Sequence, residues 1–187
     1  MTNRIWLMGI TSVLLLAFTG VSEAQEPKAS QGSARVAAKG APASNWEYSE
    51  NKDQMRGTVK HFAVARSQNT VLLSSLYGEV QGGLALRDEG GELNIMLTID
   101  RGQFLCSRFT RSIVSVKFDD GDIVDFPCIG TDAGNTGTVF IEPEKVFLAK
   151  LKNSAQVIIE APFFQVGRKQ MVFRTQGLEW NYNSPGE

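Results

Sequence analysis

Apolar and polar positions alternate along most of the chain after Trp46, in short runs that end at Gly, Asp and Asn. This period of two is typical of strands with one face in a core and the other in solvent. The stretch 143–152 departs from it and spaces its apolar residues as a helix does. The pattern predicts strands at 57–65, 70–76, 82–87, 92–99, 103–106, 112–118, 122–128, 138–141, 155–160 and 170–175.

The predicted helix has recognisable ends. Pro143 suits the first helical position and Glu144 suits the positive end of the helix dipole. Lys150 and Lys152 suit the last turn, and Asn153 suits a left-handed stop. One short helix near 143–152 among about ten strands predicts a mostly β protein. Its fold class is a single β-sandwich or barrel-like domain.

The turn at 119–121 indicates how its two strands pair. A two-residue loop would place Val116 opposite Asp125, an apolar residue against a charge. A three-residue loop with its glycine in the left-handed conformation places Val116 opposite Val124 and keeps one face apolar. We therefore expect the second register, which also turns Cys128 toward the core.

The first 24 residues have the pattern of an export signal. Arg4 precedes an apolar run at 5–18, and Ser22 and Ala24 are the small residues that a signal peptidase requires. A membrane anchor is the alternative, but the run is shorter than the ~20 residues that span a bilayer. We expect residues 1–24 to be a cleaved signal peptide. The mature protein is then periplasmic or secreted, without stable membrane insertion.

Residues 25–44 differ in composition from the remainder of the chain. They are small, polar and weakly basic, with Val36 as their single large aliphatic residue. Such a segment buries too little apolar surface to offset the entropy of ordering. We therefore predict a flexible linker at 25–44, a β-rich domain at 45–182 and a C-terminal tail at 183–187.

The charge balance excludes one class of partner. The chain has 19 basic and 20 acidic residues and a formal net charge of −1. Nucleic-acid-binding domains carry a clear basic excess. We do not expect a nucleic-acid partner.

Cys106 and Cys128 are the two cysteines of the chain. In an oxidising compartment, two thiols at strand-like positions most simply form a disulfide. A zinc site is the alternative, but no histidine lies near them in the sequence to complete a ligand set. The sequence predicts a disulfide between Cys106 and Cys128.

Motifs for catalysis and metal binding are weak. His61, the single histidine, lies within a predicted strand and has no nucleophile-elbow signature beside it. The four aspartates within 119–125 lack the spacing of an EF-hand and suit a turn. The glycine-rich loop 130–137 lacks the Lys-Ser/Thr ending of a phosphate-binding loop. The sequence therefore predicts no catalytic residue, no metal site and no cofactor.

Aromatic residues near the ends of segments and polar loop residues are the remaining candidates for contact with a partner. Aromatic side chains there either anchor a partner or close the ends of the core. Surface loops often carry binding contacts. The predicted binding surface consists of Trp46, Tyr48, Asp132, Asn135 and Trp180.

Three motifs follow one another along the domain: Leu-Ala-Leu-Arg at 84–87, Phe-Asp-Asp at 118–120 and Gly-Leu at 177–178. In this order they resemble a group of exported proteobacterial β-rich domains. The pattern is also similar to the periplasmic VasI/TagO proteins associated with type VI secretion. It covers the chain from Trp46 to Trp180, with Asp88 where the VasI/TagO pattern has Cys. The resemblance implies a fold and an envelope role, and offers no catalytic residue to carry over.

These observations predict a non-enzymatic periplasmic binding or accessory protein of a secretion or cell-envelope system, with a protein or cell-wall partner. One alternative is an inhibitor or immunity protein against an exported toxin. Another is a secreted hydrolase that uses His61 or a pair of carboxylates. Fold patterns alone do not decide between such functions.

Overall fold

The computed structural model describes residues 44–107, 109, 112–132 and 134–182. The predicted signal peptide 1–24, the predicted linker except Ser44, and the predicted tail 183–187 lie outside the described residues. The elements are β1 (Trp46–Lys52), β2 (Val59–Ser74), β3 (Gly78–Glu89), β4 (Glu92–Ile99), β5 (Ile113–Phe118), β6 (Ile123–Gly130), β7 (Thr138–Ile141), α1 (Glu144–Lys152), β8 (Gln156–Phe163) and β9 (Gly167–Arg174).

Eight of these strands form a closed antiparallel barrel in the order β2-β3-β4-β7-β6-β5-β8-β9. The barrel closes where Ser67 of β2 pairs with Phe173 of β9. The extra strand, β1, pairs with the first part of β2. The prediction of a mostly β, barrel-like or sandwich domain with one short helix is therefore confirmed, in its barrel form.

The connections between the barrel strands fall at two opposite ends because all neighbouring strands are antiparallel. The connections after β2, β4, β6 and β8 lie at one end, which we call the loop end; they are 75–77, 100–112, 131–137 and 164–166. The connections at the other end are 53–58, 90–91, 119–122 and 142–155. We call this the helix end because it includes α1.

Inward-facing residues of alternating strand positions fill the barrel, and Leu84 and Leu86 of β3 are fully buried. At the helix end, Phe147 of α1 packs edge-on against Phe118 and Phe126, with ring centroids 5.5 and 5.2 Å apart. Edge-to-face pairs at such distances are favourable. The helix thus closes this end of the core.

The hairpin between β5 and β6 has the predicted register. Val116 is paired with Val124, and Cys128 faces the core with 2% of its surface exposed. The apolar face of both strands is therefore buried, which is the condition that favoured this register from the sequence.

The left-handed residue of this hairpin is Asp119, with φ of 47°, and not Gly121 as predicted. Asp119 Oδ1 accepts hydrogen bonds of 2.9 Å from the backbone N–H groups of Ala155 and Gln156. Asp is one of the few non-glycine residues that adopt this conformation readily. The turn is therefore fixed by a carboxylate that also holds the start of β8.

Two predictions about the first strands are wrong. Residues 46–52, which the pattern left without a strand, form β1; every residue after Trp46 is exposed, so no apolar alternation marks it. The two strands predicted at 57–65 and 70–76 are one strand, β2, of 16 residues. Its register shifts between Arg66 and Thr70, and this irregularity interrupts the alternation that the pattern depends on.

The predictions for the segment 103–106 and for the first residue of the helix are also wrong. The segment 103–106 is not a strand; Phe104 alone forms an isolated bridge, with Phe163. The helix begins at Glu144 rather than at Pro143, which is extended (φ −78°, ψ 132°) and occupies the N-cap position. Phe147 N–H still donates to Pro143 O at 3.1 Å, so Pro143 accepts the first helical bond.

Candidate functional site

Large apolar side chains are exposed on three separate connections of the loop end. Leu76 is 80% exposed, Phe109 is 98% exposed, and Leu105 and Phe164 are 47% and 46% exposed. We call these four residues the apolar tips. Apolar exposure is not confined to this end, since Met55, Ile123 and Val146 are exposed at or beside the helix end, but within the described residues the exposed phenylalanine rings lie at the loop end. Exposed apolar groups at one end of a protein are candidates for a binding surface.

Leu105 and Phe164 flank the bridge between Phe104 and Phe163, Leu105 opposite Pro162 and Phe164 opposite Gln103. The rings of the two bridged residues are buried and lie 4.7 Å apart. Backbone hydrogen bonds of 2.9 Å on either side of the bridge extend the pairing by one residue in each direction. Because successive side chains of extended chains point to opposite faces, Leu105 and Phe164 face outward.

The segment that carries Phe109 is held at its base. Cys106 and Cys128 form the predicted disulfide, with a Cα–Cα distance of 5.5 Å. On the other side of the segment, Ser112 O accepts the backbone N–H of Cys128 at 2.9 Å, and its Oγ accepts the N–H of Ser107 at 3.2 Å. Phe109 N–H donates to Ser107 Oγ at 3.1 Å. The segment that carries the exposed ring is therefore attached to β6 on both sides of Phe109.

Basic residues accompany the apolar tips. The stretch 101–113 contains three arginines and the stretch 161–170 contains Arg168 and Lys169, while neither contains an acidic residue. The Phe104–Phe163 bridge brings the two stretches together. Asp100 and Asp132 are the acidic residues of the loop-end connections, and Asp100 lies 3.9 Å from Arg66. The loop end is thus apolar and moderately cationic.

Arg168 has a structural role on the flank of the barrel. Its guanidinium donates to Glu160 Oε1 at 2.6 Å, to Ser115 Oγ at 2.9 Å and to Ile113 O at 3.3 Å, and so ties together β9, β8 and β5. The Gln170 side-chain amide and then Arg168 lower the pKa of Glu160 by hydrogen bonding to its carboxylate. A shallow depression of about 260 Å³ here is lined by Ser115, Lys117, Ile123, Ile158, Glu160 and Gln170.

A row of polar side chains crosses three neighbouring strands near the helix end. Glu50, His61 and Asp88 are paired in register on β1, β2 and β3. His61 Nδ1 is 3.1 Å from Glu50 Oε1 without the alignment of a hydrogen bond, and its ring stacks on Tyr182 at 3.9 Å. Asp88 Oδ2 and Trp180 Nε1 are buried without a hydrogen-bond partner among the described residues.

This row does not form the site that a hydrolase needs. Catalysis through His61 requires a nucleophilic hydroxyl or thiol in hydrogen-bond reach of the imidazole. Within the described residues, the close contacts of His61 are the Glu50 carboxylate and the stacked face of Tyr182. The cysteines are bonded to each other.

The residues of the predicted binding surface do not lie together: some are in the core and others are on separate parts of the surface. Trp46 and Trp180 are 6% and 1% exposed and belong to the core, which corrects their assignment to a surface. Trp46 Nε1 donates to Thr175 O at 3.0 Å, so its polar edge is used within the protein. Tyr48 is 46% exposed, and its hydroxyl accepts the N–H of Glu179 at 2.7 Å. These aromatic residues join the first and last segments of the domain.

Asp132 and Asn135 lie apart from the aromatic residues, in the connection after β6. Asn135 Oδ1 accepts the N–H of Gly137 at 2.9 Å, and Asn135 O accepts the hydroxyl of Thr131 at 2.9 Å. These bonds shape the turn itself. A depression of about 340 Å³ on the barrel flank is lined by Arg87, Glu92, Asn94, Ile129, Asp132, Phe140, Glu142 and Glu144.

None of the apolar tips is among the binding residues predicted from the sequence. One signal was present for Phe109, which stands between Arg108 and Arg111 in a stretch without acidic residues. Phe164 directly follows Phe163, and the pattern does not distinguish the buried ring from the exposed one. The pairing of Phe163 with Phe104 makes that distinction.

Two further observations concern membranes and metals. Among the residues that the structure describes, no helix has the length and apolar character needed to cross a membrane. In the same residues, His, Cys, Asp and Glu do not come together in a group of three that would hold a metal ion.

Comparisons with known proteins show remote structural similarity. No family model matches the chain, and no curated protein matches it. A solved structure described as invasion associated protein b from Bartonella henselae is similar over 73% of this chain and 88% of that chain, with 11% identity and a TM-score of 0.45. Similarity this remote transfers no activity, ligand or partner to this chain.

Proposed function

We propose that the protein is a non-enzymatic binding or accessory protein of the cell envelope, and that it binds through its loop end. The observation that carries this proposal is the exposure of Leu76, Leu105, Phe109 and Phe164 at one end of a closed barrel. Exposure of aromatic and aliphatic groups to water is unfavourable in free energy, and a partner that covers these groups removes that exposure. The disulfide agrees with an oxidising compartment, periplasmic or extracellular.

The barrel acts as a support that holds the tips in place. The Cys106–Cys128 bond attaches the segment of Phe109 to β6, and the bridge from Phe104 to Phe163 places Leu105 and Phe164 on the same outward face. Side chains held in place before binding lose less conformational entropy when they bind. Complete burial of one phenylalanine side chain contributes about 1.5–3 kcal/mol, so two such rings supply a useful affinity.

A role in a secretion or envelope system, which the resemblance to VasI/TagO implies, is part of the same proposal. An inhibitor or immunity protein against an exported toxin would be a special case, with the toxin bound at the loop end. Each version uses the apolar tips and needs no catalytic residue.

The test is binding of the chain from Gln25 to Glu187 to washed cell-envelope fractions. We expect Phe109→Ser with Phe164→Ser to reduce binding by tenfold or more, because each ring contributes apolar contact. Met55→Ser is the matched control, since Met55 is 91% exposed but belongs to the helix end. Equal binding by all three proteins would contradict the proposal, as would the absence of binding by the unmodified chain.

A further inference from the structure

We infer that the partner of the loop end is an anionic lipid surface, into which the apolar tips insert while the barrel stays outside. This inference rests on the proposed function and names the partner of the same site. It concerns reversible attachment at the headgroup level, in which apolar side chains reach the boundary of the acyl chains.

The distribution of the apolar tips favours a lipid surface over a folded protein. Leu76, Phe109 and Phe164 stand on three different connections, each at the end of a strand. The core of a protein interface is a continuous, closely packed patch of complementary shape. A bilayer adapts to separate projecting side chains and needs only that they point the same way. The connections that carry these side chains all lie at the same end of the antiparallel barrel.

The charge of the two ends favours an anionic surface. The loop-end connections contain three basic and two acidic residues. In the strands beside them, Lys169 of β9 is offset by Glu79 of β3, and Arg168 of β9 is ion-paired with Glu160. The helix-end connections contain four basic and six acidic residues. A protein of net charge −1 therefore presents its positive end together with its apolar tips. Such an asymmetry orients the molecule toward an anionic membrane before the side chains insert.

Basic and aromatic residues also alternate locally. Arg101 is exposed in the same connection as Leu105 and Phe109. Long basic side chains place their charge among headgroups while their aliphatic stems lie along apolar surface. Aromatic rings prefer the interfacial region of a bilayer. The composition of the loop end thus combines both contributions that hold peripheral proteins on anionic membranes.

The test is co-sedimentation of the chain from Gln25 to Glu187 with vesicles. One set contains equal parts of phosphatidylglycerol and phosphatidylcholine, and the other contains phosphatidylcholine alone. We expect binding to the anionic vesicles to be about tenfold stronger, and to weaken as salt is added. Phe109→Ser and Phe164→Ser should each lower binding severalfold, whereas Met55→Ser should leave it unchanged.

A tryptophan probe reports the direction of insertion. Phe109→Trp should be quenched by lipids brominated on their acyl chains, and Met55→Trp should not. The native Trp46 and Trp180 are buried, so they provide an unquenched background within each molecule. Unfolding curves of the variants establish that loss of binding is not loss of the fold.

The outcomes separate this inference from the proposed function. If envelope fractions bind through the apolar tips and anionic vesicles do not bind, the lipid inference fails and a protein or cell-wall partner takes its place. If vesicles bind equally well after Phe109→Ser and Phe164→Ser, insertion is refuted. If neither envelopes nor vesicles distinguish the tip variants from Met55→Ser, both proposals fail.

Discussion

Cys128 is attached to both sides of the segment that carries Phe109. Its sulfur is bonded to Cys106, which precedes the segment, and its backbone N–H donates to Ser112 O, which follows it, at 2.9 Å. One residue of β6 thereby fixes the base of the most exposed apolar tip. The disulfide consequently has a positional role at the loop end as well as a role in stability.

Removal of the disulfide should affect both properties. We expect Cys106→Ser with Cys128→Ala to lower the free energy of unfolding by about 3 kcal/mol, because the unfolded chain regains the entropy of an open loop. Denaturant unfolding measures this change. Envelope binding should weaken in parallel, since the base of the Phe109 segment loses one attachment. Two titratable thiols in the native exported protein would show that the bond is not formed.

Asp119 should be the most sensitive residue of the turn at 119–122 between β5 and β6. Asp119→Ala removes two hydrogen bonds to the start of β8 and places alanine at a φ of 47°. We expect a loss of about 2 kcal/mol in the free energy of unfolding. Asp119→Asn, which keeps an acceptor and tolerates this φ, should lose less. Asp120→Ala, in the same exposed turn, is the control and should be nearly neutral.

Glu160 should contribute to the loss of stability in acid. Hydrogen bonds from Gln170 and Arg168 hold its folded-state pKa below the ordinary value of 4.5. Its stabilising contribution is therefore present above pH 4.5 and is lost as the pH falls through the lower, folded-state pKa.

Unfolding by urea at several pH values tests this expectation. The free energy of unfolding of Glu160→Gln should depend less on pH below 4.5 than that of the unmodified protein. Glu47→Gln is the control, because Glu47 forms no hydrogen bond or ion pair within the described residues. Identical pH dependence in Glu160→Gln and the unmodified protein would refute a contribution from this carboxylate.

Asp88 should be a residue whose removal stabilises the fold. It is 7% exposed, and its Oδ2 has no hydrogen-bond partner among the described residues. We expect Asp88→Ala to raise the free energy of unfolding by about 1 kcal/mol, because a buried carboxylate oxygen without a hydrogen-bond partner is unfavourable.

Asn94 provides a matched comparison for Asp88. It is buried to a similar degree, but its Oδ1 accepts hydrogen bonds of 2.9 and 2.7 Å from Arg87. Asn94→Ala should therefore lower the free energy of unfolding by about 1–2 kcal/mol. A loss of similar size in Asp88→Ala would mean that Asp88 has a stabilising partner after all.

The pattern of apolar and polar residues predicted the structure correctly where the paired residues are close in the sequence. The register of Val116 with Val124 follows from the turn between them and from one apolar face. The disulfide between Cys106 and Cys128 follows from the number of cysteines and an assumed compartment. The helix follows from its apolar spacing, whereas the predictions for its ends were wrong, because Pro143 precedes the helix and Asn153 has a φ of −102°, outside the left-handed region. In each case the residues that decide the structure lie close together in the sequence or are few.

The pattern failed where the pairing is distant. Phe104 forms its bridge with Phe163, so the segment around it is not a strand of a local hairpin. Strand β1 pairs locally with β2 and was missed for another reason, the lack of apolar alternation beyond Trp46. Burial of Trp46 and Trp180 likewise arises where the first and last segments meet. The apolar tips are recognisable only once the closed barrel assigns each connection to an end.

Closure of the barrel also requires residues from both ends of the domain, so folding cannot finish before the last strand is present. Ser67 pairs with Phe173, and Trp46 Nε1 donates to Thr175 O across a separation of 129 residues. The interior is therefore shielded from water only after almost the whole chain is available. Long-range pairings of this kind slow folding, because loop closure precedes any gain from contact. A chain truncated before Phe173 would leave its inner apolar face uncovered and would be a substrate for proteases rather than a smaller stable domain.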